Sequence, residues 1–484
     1  METAESKYEV VIGLEVHAQL LTESKLFSGD ATAFGAEPNT QVSPVTLGHP
    51  GTLPMMNEKA IAHAVKMGIV CHCEIERTNY FARKNYFYPD LPKGYQISQH
   101  TTPICKGGHV PIKIKGETRN IKLTRIHLEE DAGKSIHDIS PDFTCIDYNR
   151  AGVALVEIVS EPDMRSGEEA FAFLTELRKL VRWIGVCDGN MEEGSMRCDA
   201  NISLRLRGET SLGTKVEVKN LNSIRNVKKA IEVETERLSA LLESGQEIRQ
   251  ETRSFNADND TTFSIRTKED ADDYRYFTDP DLMPFILTES DIQKYRKELP
   301  RLPEEWVLNL IEDFHLPEYD ARILAEDAEL LKYYLSIAAV CRNYKAVSNW
   351  LIGPVKSYCH DKGLDISDVI VTPAQWKKMI DMIESGKLNF SAAAQKLLPL
   401  LMKDSLADPE ILAAGQNIIQ VSDSSDIEAW IDEVIKKLPD KVSEFRNGKK
   451  GLIGLFVGEV KKISGGKADP RLSTEILLKK LNQS

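Results

Sequence analysis

The sequence predicts an α+β protein, with a mainly antiparallel sheet in its first part and all-helical domains behind it. Between residues 8 and 290, short segments alternate apolar and polar side chains with period two, and beyond Pro284 that alternation gives way to helical spacing. At 484 residues and 42% apolar, the chain is also too long for one core and should split into several domains. The expected division is 1–290, 291–407 and 408–484.

The strand candidates are YEVVIGLEVHAQL, HVPIKIKG, RNIKLTRIHLEE, GVALVEIVS, ANISLRLRG and TKVEVKN. Two long helices interrupt them. The segment 167–185 has apolar residues at 170, 173, 174, 177, 180, 181 and 184, and the segment 224–245 stops at Gly245. Helical segments then follow one another, among them EEWVLNLIEDF, DAELLKYYLSIAAVC, AQWKKMIDMIES and FSAAAQKLLPLLMK. From DSLADPEILAAG onward a last set, IEAWIDEVIKKLP, GLIGLFVGEVKKI and STEILLKKL, reads as a small helical module.

Net charge is −13, but it is uneven: residues 441–484 carry 10 Lys/Arg against 4 Asp/Glu, a surplus of +6 that leaves −19 for the rest. A basic tail on an acidic body suits a polyanionic partner. The eight cysteines form no CxxC pair and fit a reducing cytosol, with Cys71 and Cys73 read as buried thiols at a helix-to-strand junction or else as half a metal site that lacks a second pair. The start has neither a basic leader nor an apolar run, and no segment is long and apolar enough to span a bilayer. The expectation is therefore a soluble, cytoplasmic protein.

The stretch GLEVHAQL sets Glu15, His17 and Gln19 on one face of a strand, where side chains two apart lie roughly 6.5–7 Å from each other. Glu15 and His17 are thus spaced to meet one cation or one substrate. IHLEEDAGK offers Glu129, Glu130 and Asp131, LVEIVSEP offers Glu157 and Glu161, and SMRCDANIS places Arg197, Asp199 and Asn201 on alternate positions. Glu157, inside an apolar strand, is costly to bury unless paired or bound to metal. Carboxylates with a single histidine suit a hard ion such as Mg²⁺ or Mn²⁺. The plainer alternative is a solvated sheet face, or ion pairs with Arg125, Lys134 and Arg150. The stretch 81–100, rich in aromatics and carrying Arg83, Lys84 and Lys93, reads as an ordered loop facing a nucleotide or base, or else packed on the core. No GxxxxGK[ST] loop exists, so ATP would need another kind of cradle. In the tail, Gly451, Gly454 and Gly458 form a bare helical stripe flanked by Lys449, Lys450, Lys461 and Lys462, open either to a phosphate backbone or to close helix packing.

Taken together, VIGLEVHAQL, RKNYFYPDLPKGYQISQ, IHLEEDAGKS, LVEIVSEPD, SMRCDANIS, EVKNLNS and DYRYF resemble the B subunits of the tRNA-dependent amidotransferases, from about residue 8 to the end. The resemblance implies a cradle domain related to glutamine synthetase, a helical domain and a tRNA-binding tail. It implies a reaction in which ATP, with Mg²⁺, phosphorylates the side-chain carboxylate of Glu-tRNA(Gln) or Asp-tRNA(Asn), after which ammonia displaces the phosphate. On this resemblance His17, Glu130 and Glu157 hold the metal with Glu15 beside them, Glu130 being preferred to Glu129 by motif alignment. Lys84, Arg125, Arg197, Asp199 and Asn201 fall in matching motifs and are candidates for phosphate, nucleotide or supporting roles. Lys449, Lys450, Gly454, Gly458, Lys461 and Lys462 would touch tRNA. Ammonia would come from an amidase A subunit, with a small C subunit completing a heterotrimer. The family's four-cysteine zinc positions correspond here to Ser28, Asp30, Ser43 and Thr46, so no zinc is expected. Read without the resemblance, the same residues also fit a Mg²⁺-dependent RNA hydrolase or a noncatalytic tRNA scaffold.

Overall fold

The computed structural model describes residues 7–267, 274–420, 424–465 and 467–482. They fall into two compact units, Met1–Pro300 and Arg301–Ser484. In the first, ten strands define the main path of a thirteen-stranded sheet: β1 (Tyr8–Gln19), β2 (Ala82–Asn85), β3 (Tyr95–Ser98), β4 (Glu117–Glu130), β5 (Ala154–Ser160), β6 (Met196–Leu206), β7 (Val216–Leu221), β8 (Glu251–Asn256), β9 (Thr261–Thr267) and β10 (Phe277–Thr278). Their spatial order is β9-β8-β7-β6-β1-β5-β4-β3-β2-β10. Neighbours along it are antiparallel except β7 and β8, which run parallel.

The period-two pattern explains the sheet's two faces. Along β1, Leu14, Val16 and Ala18 are buried, and Val156 and Ile158 of β5 and Cys198, Ala200 and Ile202 of β6 continue the same apolar surface. The helices α1 (Gly167–Trp183) and α2 (Ile224–Glu243) pack on each other and on the sheet. α1 buries Ala170, Phe173, Leu174, Leu177, Leu180 and Val181, the stripe its spacing predicts. Each fully buried large apolar side chain contributes roughly 1.5–3 kcal/mol, which is what holds these layers together. Ser166 and Ser223 begin the two helices by accepting hydrogen bonds from the backbone N–H groups of Glu169 and Asn226. Gly245, at φ +71°, ends the second.

One expectation changes. The stretch 81–100, expected as an ordered loop, contains a hairpin: β2 and β3 pair within it in the register Ala82↔Ser98, Arg83↔Ile97, Lys84↔Gln96 and Asn85↔Tyr95. The prolines and the PDLPKG turn lie between these short strands, where they cost no ladder hydrogen bonds. Cys71 and Cys73 do stand where helix Glu58–Val70 gives way to a short strand, and burial pushes both thiols up, Cys73 to about 12.

The second unit is helical from Pro303–Glu312 to Pro470–Asn482. The two-unit division falls at Pro300, beyond the boundary expected near 290. Its last helices gather around a hydrophobic cluster of their own, including Ile427, Ile431, Phe445, Phe456, Val460 and Leu477. Among the described residues no helix is long and apolar enough to cross a membrane.

Candidate active site

The face of the sheet opposite α1 and α2 is polar, and cross-strand register decides which residues meet there. His17 pairs with Glu157 on one side and with Arg197 on the other, Glu157 pairs with His127, and Glu15 with Asp199. Directly paired residues project to the same face, and so do residues two apart. Glu129, two beyond His127, therefore joins His17 and Glu157, while Glu130 projects to the other face.

The distances follow this parity. His17 Nε2 lies 3.5 Å from Glu129 Oε1 and 3.4 Å from Glu157 Oε2. One ligating atom from each of His17, Glu129 and Glu157 lies within 4.8 Å of the other two. Burial on its own would lower the His17 imidazole, but the Glu157 and Glu129 carboxylates outweigh it and hold it at about 9. Burial acts upward on Glu157, yet His127, His17 and Lys84 keep its carboxyl far below the usual range. One buried and one half-buried carboxylate beside a ring nitrogen form a hard donor set of the type that takes a divalent cation, and the residues fit one.

Beside it lies a second set, Glu15, Asp199 and Glu217, whose oxygens also lie within 4.8 Å of one another. Lys219 Nζ stands 2.7 Å from Asp199 Oδ2 and 3.2 Å from Glu217 Oε1, and Asn201 Nδ2 donates to Glu15 Oε1 at 2.8 Å. Here the lysine ammonium pairs with two of the three acids. Arg197 Nη2 donates to Asp131 Oδ1 at 3.0 Å, and Gln19 Nε2 to Asp131 Oδ2 at 3.0 Å, so Gln19 ties the end of β1 to the same network.

Lys84, on β2, overhangs this face. Burial acts downward on its ammonium, but Glu129, the Tyr276 and Tyr274 hydroxyls and Glu157 together raise it. Its Nζ sits 4.7 Å from the centre of the Tyr274 ring and 5.6 Å from that of Tyr86. Tyr276 stacks on His100 at 4.0 Å. Arg125 shares the polar parity of β4, and its buried Nε has no hydrogen-bond partner among the described residues.

Glu130 is thus a correction to the expected ligand set. Lys93 Nζ binds its two oxygens at 2.5 and 2.7 Å, and the Ile97 N–H donates to Oε1 at 2.9 Å, which leaves it committed on the far side of the strand. Lys93 and Glu130 line a cavity of about 190 Å³ with Lys25, Ser28, Thr46 and His49. Sequence reading also passed over His127, Glu217 and Lys219. The signal for Glu217 was present, since it is a carboxylate within the apolar TKVEVKN strand, as Glu157 is within GVALVEIVS.

The tail candidates lie in the second unit. Lys450 Nζ sits 4.4 Å from the centre of the Phe445 ring, and Lys449 Nζ donates to Glu444 Oε2 at 3.0 Å. Helix Ile453–Ile463 carries Gly454, Gly458, Lys461 and Lys462. A Cβ at Gly451, Gly454 or Gly458 would meet nothing within 4 Å, so among the described residues the stripe is open and packs against no neighbouring helix.

Comparison with known proteins gives the class first. Residues 10–293 match the family model of the GatB/GatE catalytic domain, and residues 332–481 that of the GatB domain. More narrowly, the chain is 47% identical over 477 residues to the B subunit of the aspartyl/glutamyl-tRNA(Asn/Gln) amidotransferase of Thermodesulfovibrio yellowstonii, covering 99% of this chain and 100% of that one. It is 48% identical over 478 residues to the corresponding subunit of Geobacter sp. strain M21, at 98% and 99% coverage, and 47% identical over 475 residues to that of Bdellovibrio bacteriovorus, again at 98% and 99%. The chain belongs to the family of amidotransferase B subunits.

Proposed function

We propose that this chain activates the side-chain carboxylate of Glu-tRNA(Gln), Asp-tRNA(Asn) or both with ATP, and then converts it to the amide. The observation that carries the reading is the convergence of His17, Glu129 and Glu157 on one polar sheet face, in a chain 47% identical along its length to a named amidotransferase subunit.

A carboxylate resists ammonia until one oxygen becomes a leaving group. Transfer of the γ-phosphoryl from ATP makes the acyl phosphate, and attack by ammonia on its carbonyl carbon then expels inorganic phosphate. The residues divide that work. His17, Glu129 and Glu157 would hold one Mg²⁺, with Glu15, Asp199 and Glu217 as a second acidic set beside it. Bound Mg²⁺ supplies neutralisation of phosphate charge. Lys84 and Arg125 face the same region and would steady phosphate oxygens. Asn201, held by Glu15, ties β6 to β1, and Arg197, held by Asp131, ties β6 to the residue that follows β4.

In this reading the sheet unit is a glutamine-synthetase-like cradle, ammonia arrives from an amidase A subunit accompanied by a small C subunit, and the helices beyond about residue 408 bind tRNA through the Gly454 and Gly458 stripe with Lys449, Lys450, Lys461 and Lys462. The cell compartment is the cytoplasm. The test is ATP cleavage by the complex of this chain with its amidase partner, with each misacylated tRNA in turn. Cleavage that depends on Glu-tRNA(Gln) or Asp-tRNA(Asn), and is lost in Glu157→Gln with tRNA binding intact, supports the reading. RNA shortened without ATP would replace it with a hydrolase.

A further inference from the structure

His127 has no part in the reaction described above, yet it is 3% exposed and lies at the centre of the polar face. It pairs across β4 and β5 with Glu157 and precedes Glu129 by two residues, so both carboxylates flank it. Its Nε2 stands 3.4 Å from Glu157 Oε2 and 3.8 Å from Glu129 Oε2. His17 approaches the same pair differently, at Glu129 Oε1 and Glu157 Oε2. The two imidazoles therefore divide the oxygens of Glu129 between them and share one oxygen of Glu157. The remaining His127 nitrogen, Nδ1, is buried with no hydrogen-bond partner among the described residues, so the ring is anchored through its carboxylate side alone.

Burying an imidazole with one nitrogen unsatisfied costs stability. Two neighbouring carboxylates also repel each other and would swing apart unless restrained. His127 opposes that repulsion from the interior, while His17 lies nearer the solvent side, with 20% of its side chain exposed against 4% for His127.

We infer that His127 is a positioning residue that holds Glu129 and Glu157 in the orientation in which, with His17, they chelate a divalent cation. This rests on reading the polar face as a cation site. Groups that orient metal-binding carboxylates from behind typically contribute 10–100-fold to affinity, and that is the size of effect His127 should have.

The experiment measures Mn²⁺ binding to the full-length chain by the electron paramagnetic resonance of free Mn²⁺, in a Glu217→Gln background that silences the second acidic set. His127→Leu should weaken Mn²⁺ binding by roughly 10–100-fold. His127→Gln, which retains a donor of similar reach, should stay within a few-fold of the parent. A folded His127→Leu with unchanged Mn²⁺ affinity, or a Gln variant as weak as Leu, overturns the assignment. If His127→Leu does not fold, His127→Asn takes its place, its shorter amide reaching the carboxylates less well; parental affinity in that variant overturns the assignment equally. Glu157→Gln separates the two claims: if it too leaves Mn²⁺ binding unchanged, the cation reading itself fails, whereas loss there with no change at His127 removes only the positioning role.

Discussion

Glu129 and Glu130 are consecutive in the chain and belong to different chemistry: Glu129 Oε1 lies 3.5 Å from His17 Nε2, while both oxygens of Glu130 are bound by Lys93 Nζ on the opposite face of the strand. Alternation along β4 makes this unavoidable.

Replacing each by glutamine should therefore fail in different ways. Glu129→Gln removes a charge from the cation site and should lower tRNA-dependent ATP cleavage strongly, with little change in the denaturation midpoint. Glu130→Gln leaves the Lys93 ammonium, 10% exposed, without its carboxylate. Breaking a buried pair from one side costs about 3–5 kcal/mol, and urea denaturation should register a loss of that order. Equal stability of the two variants would contradict the division of faces.

That pair also marks where the sequence stops being legible. The alternation of Glu15, His17 and Gln19, the isolated Glu157 and the spacing of Arg197, Asp199 and Asn201 are local patterns, and each set projects to the polar face as its own strand dictates. Which of two adjacent acids on β4 shares that face is set by the Glu157↔His127 register, a pairing between segments far apart in sequence that no single strand encodes. His127 was hidden for the same reason, since an imidazole in RIHLEE looks like any core histidine until its neighbour across the ladder is known. The hairpin at 82–98 escaped because its strands are only four residues long and its turn is rich in proline, so breakers outweighed the alternation.

Asp30 predicts a pH dependence. Its Oδ2 accepts from Ser28 Oγ at 3.0 Å, from Ser43 N at 2.9 Å, from Ser43 Oγ at 2.8 Å and from Thr46 Oγ1, a ring of donors around one anion. Burial acts upward on this carboxyl, but the Thr46, Ser43 and Ser28 hydrogen bonds prevail and lower it below its ordinary 3.8. A lowered folded-state value means stabilisation that is fully present above the unfolded value and is lost as pH falls through the folded one. The melting temperature of Asp30→Asn should therefore lie below that of the parent at pH 7, and the gap should close below about pH 4. A gap independent of pH would mean that the carboxylate charge is not what these donors bind. Because an anion holds the four positions together, a zinc-selective chelator that spares Mg²⁺ should leave the parent's melting temperature unchanged.

Arg83 fastens the segment 274–281 to β2. Its Nε donates to Asp279 Oδ2 at 2.8 Å, its Nη2 to Asp281 Oδ2 at 2.7 Å, and its guanidinium lies 4.3 Å from the centre of the Tyr95 ring. Lysine cannot reproduce this forked and stacked arrangement, so Arg83→Lys should behave as a disruptive change. The expected result is faster amide exchange at residues 277–281 and a higher KM for ATP, since Tyr274, whose ring faces Lys84, belongs to the same segment. Unchanged exchange would show that the β2–β10 ladder alone holds it.

The open glycine stripe in the tail allows a test in which stability and binding move in opposite directions. Gly458 sits inside helix Ile453–Ile463, and a Cβ there meets nothing within 4 Å. Gly458→Ala should therefore stabilise the helix by roughly 1 kcal/mol through propensity alone. If the bare backbone is where a phosphate chain approaches, the added methyl should at the same time weaken tRNA binding. Lys461→Ala with Lys462→Ala should flatten the salt dependence of that binding by roughly 0.7–0.9 log unit for each phosphate no longer neutralised. A packing role for the stripe predicts the reverse for Gly458→Ala, destabilisation with binding intact, so thermal melts and filter binding on one variant separate the two uses of the same glycine.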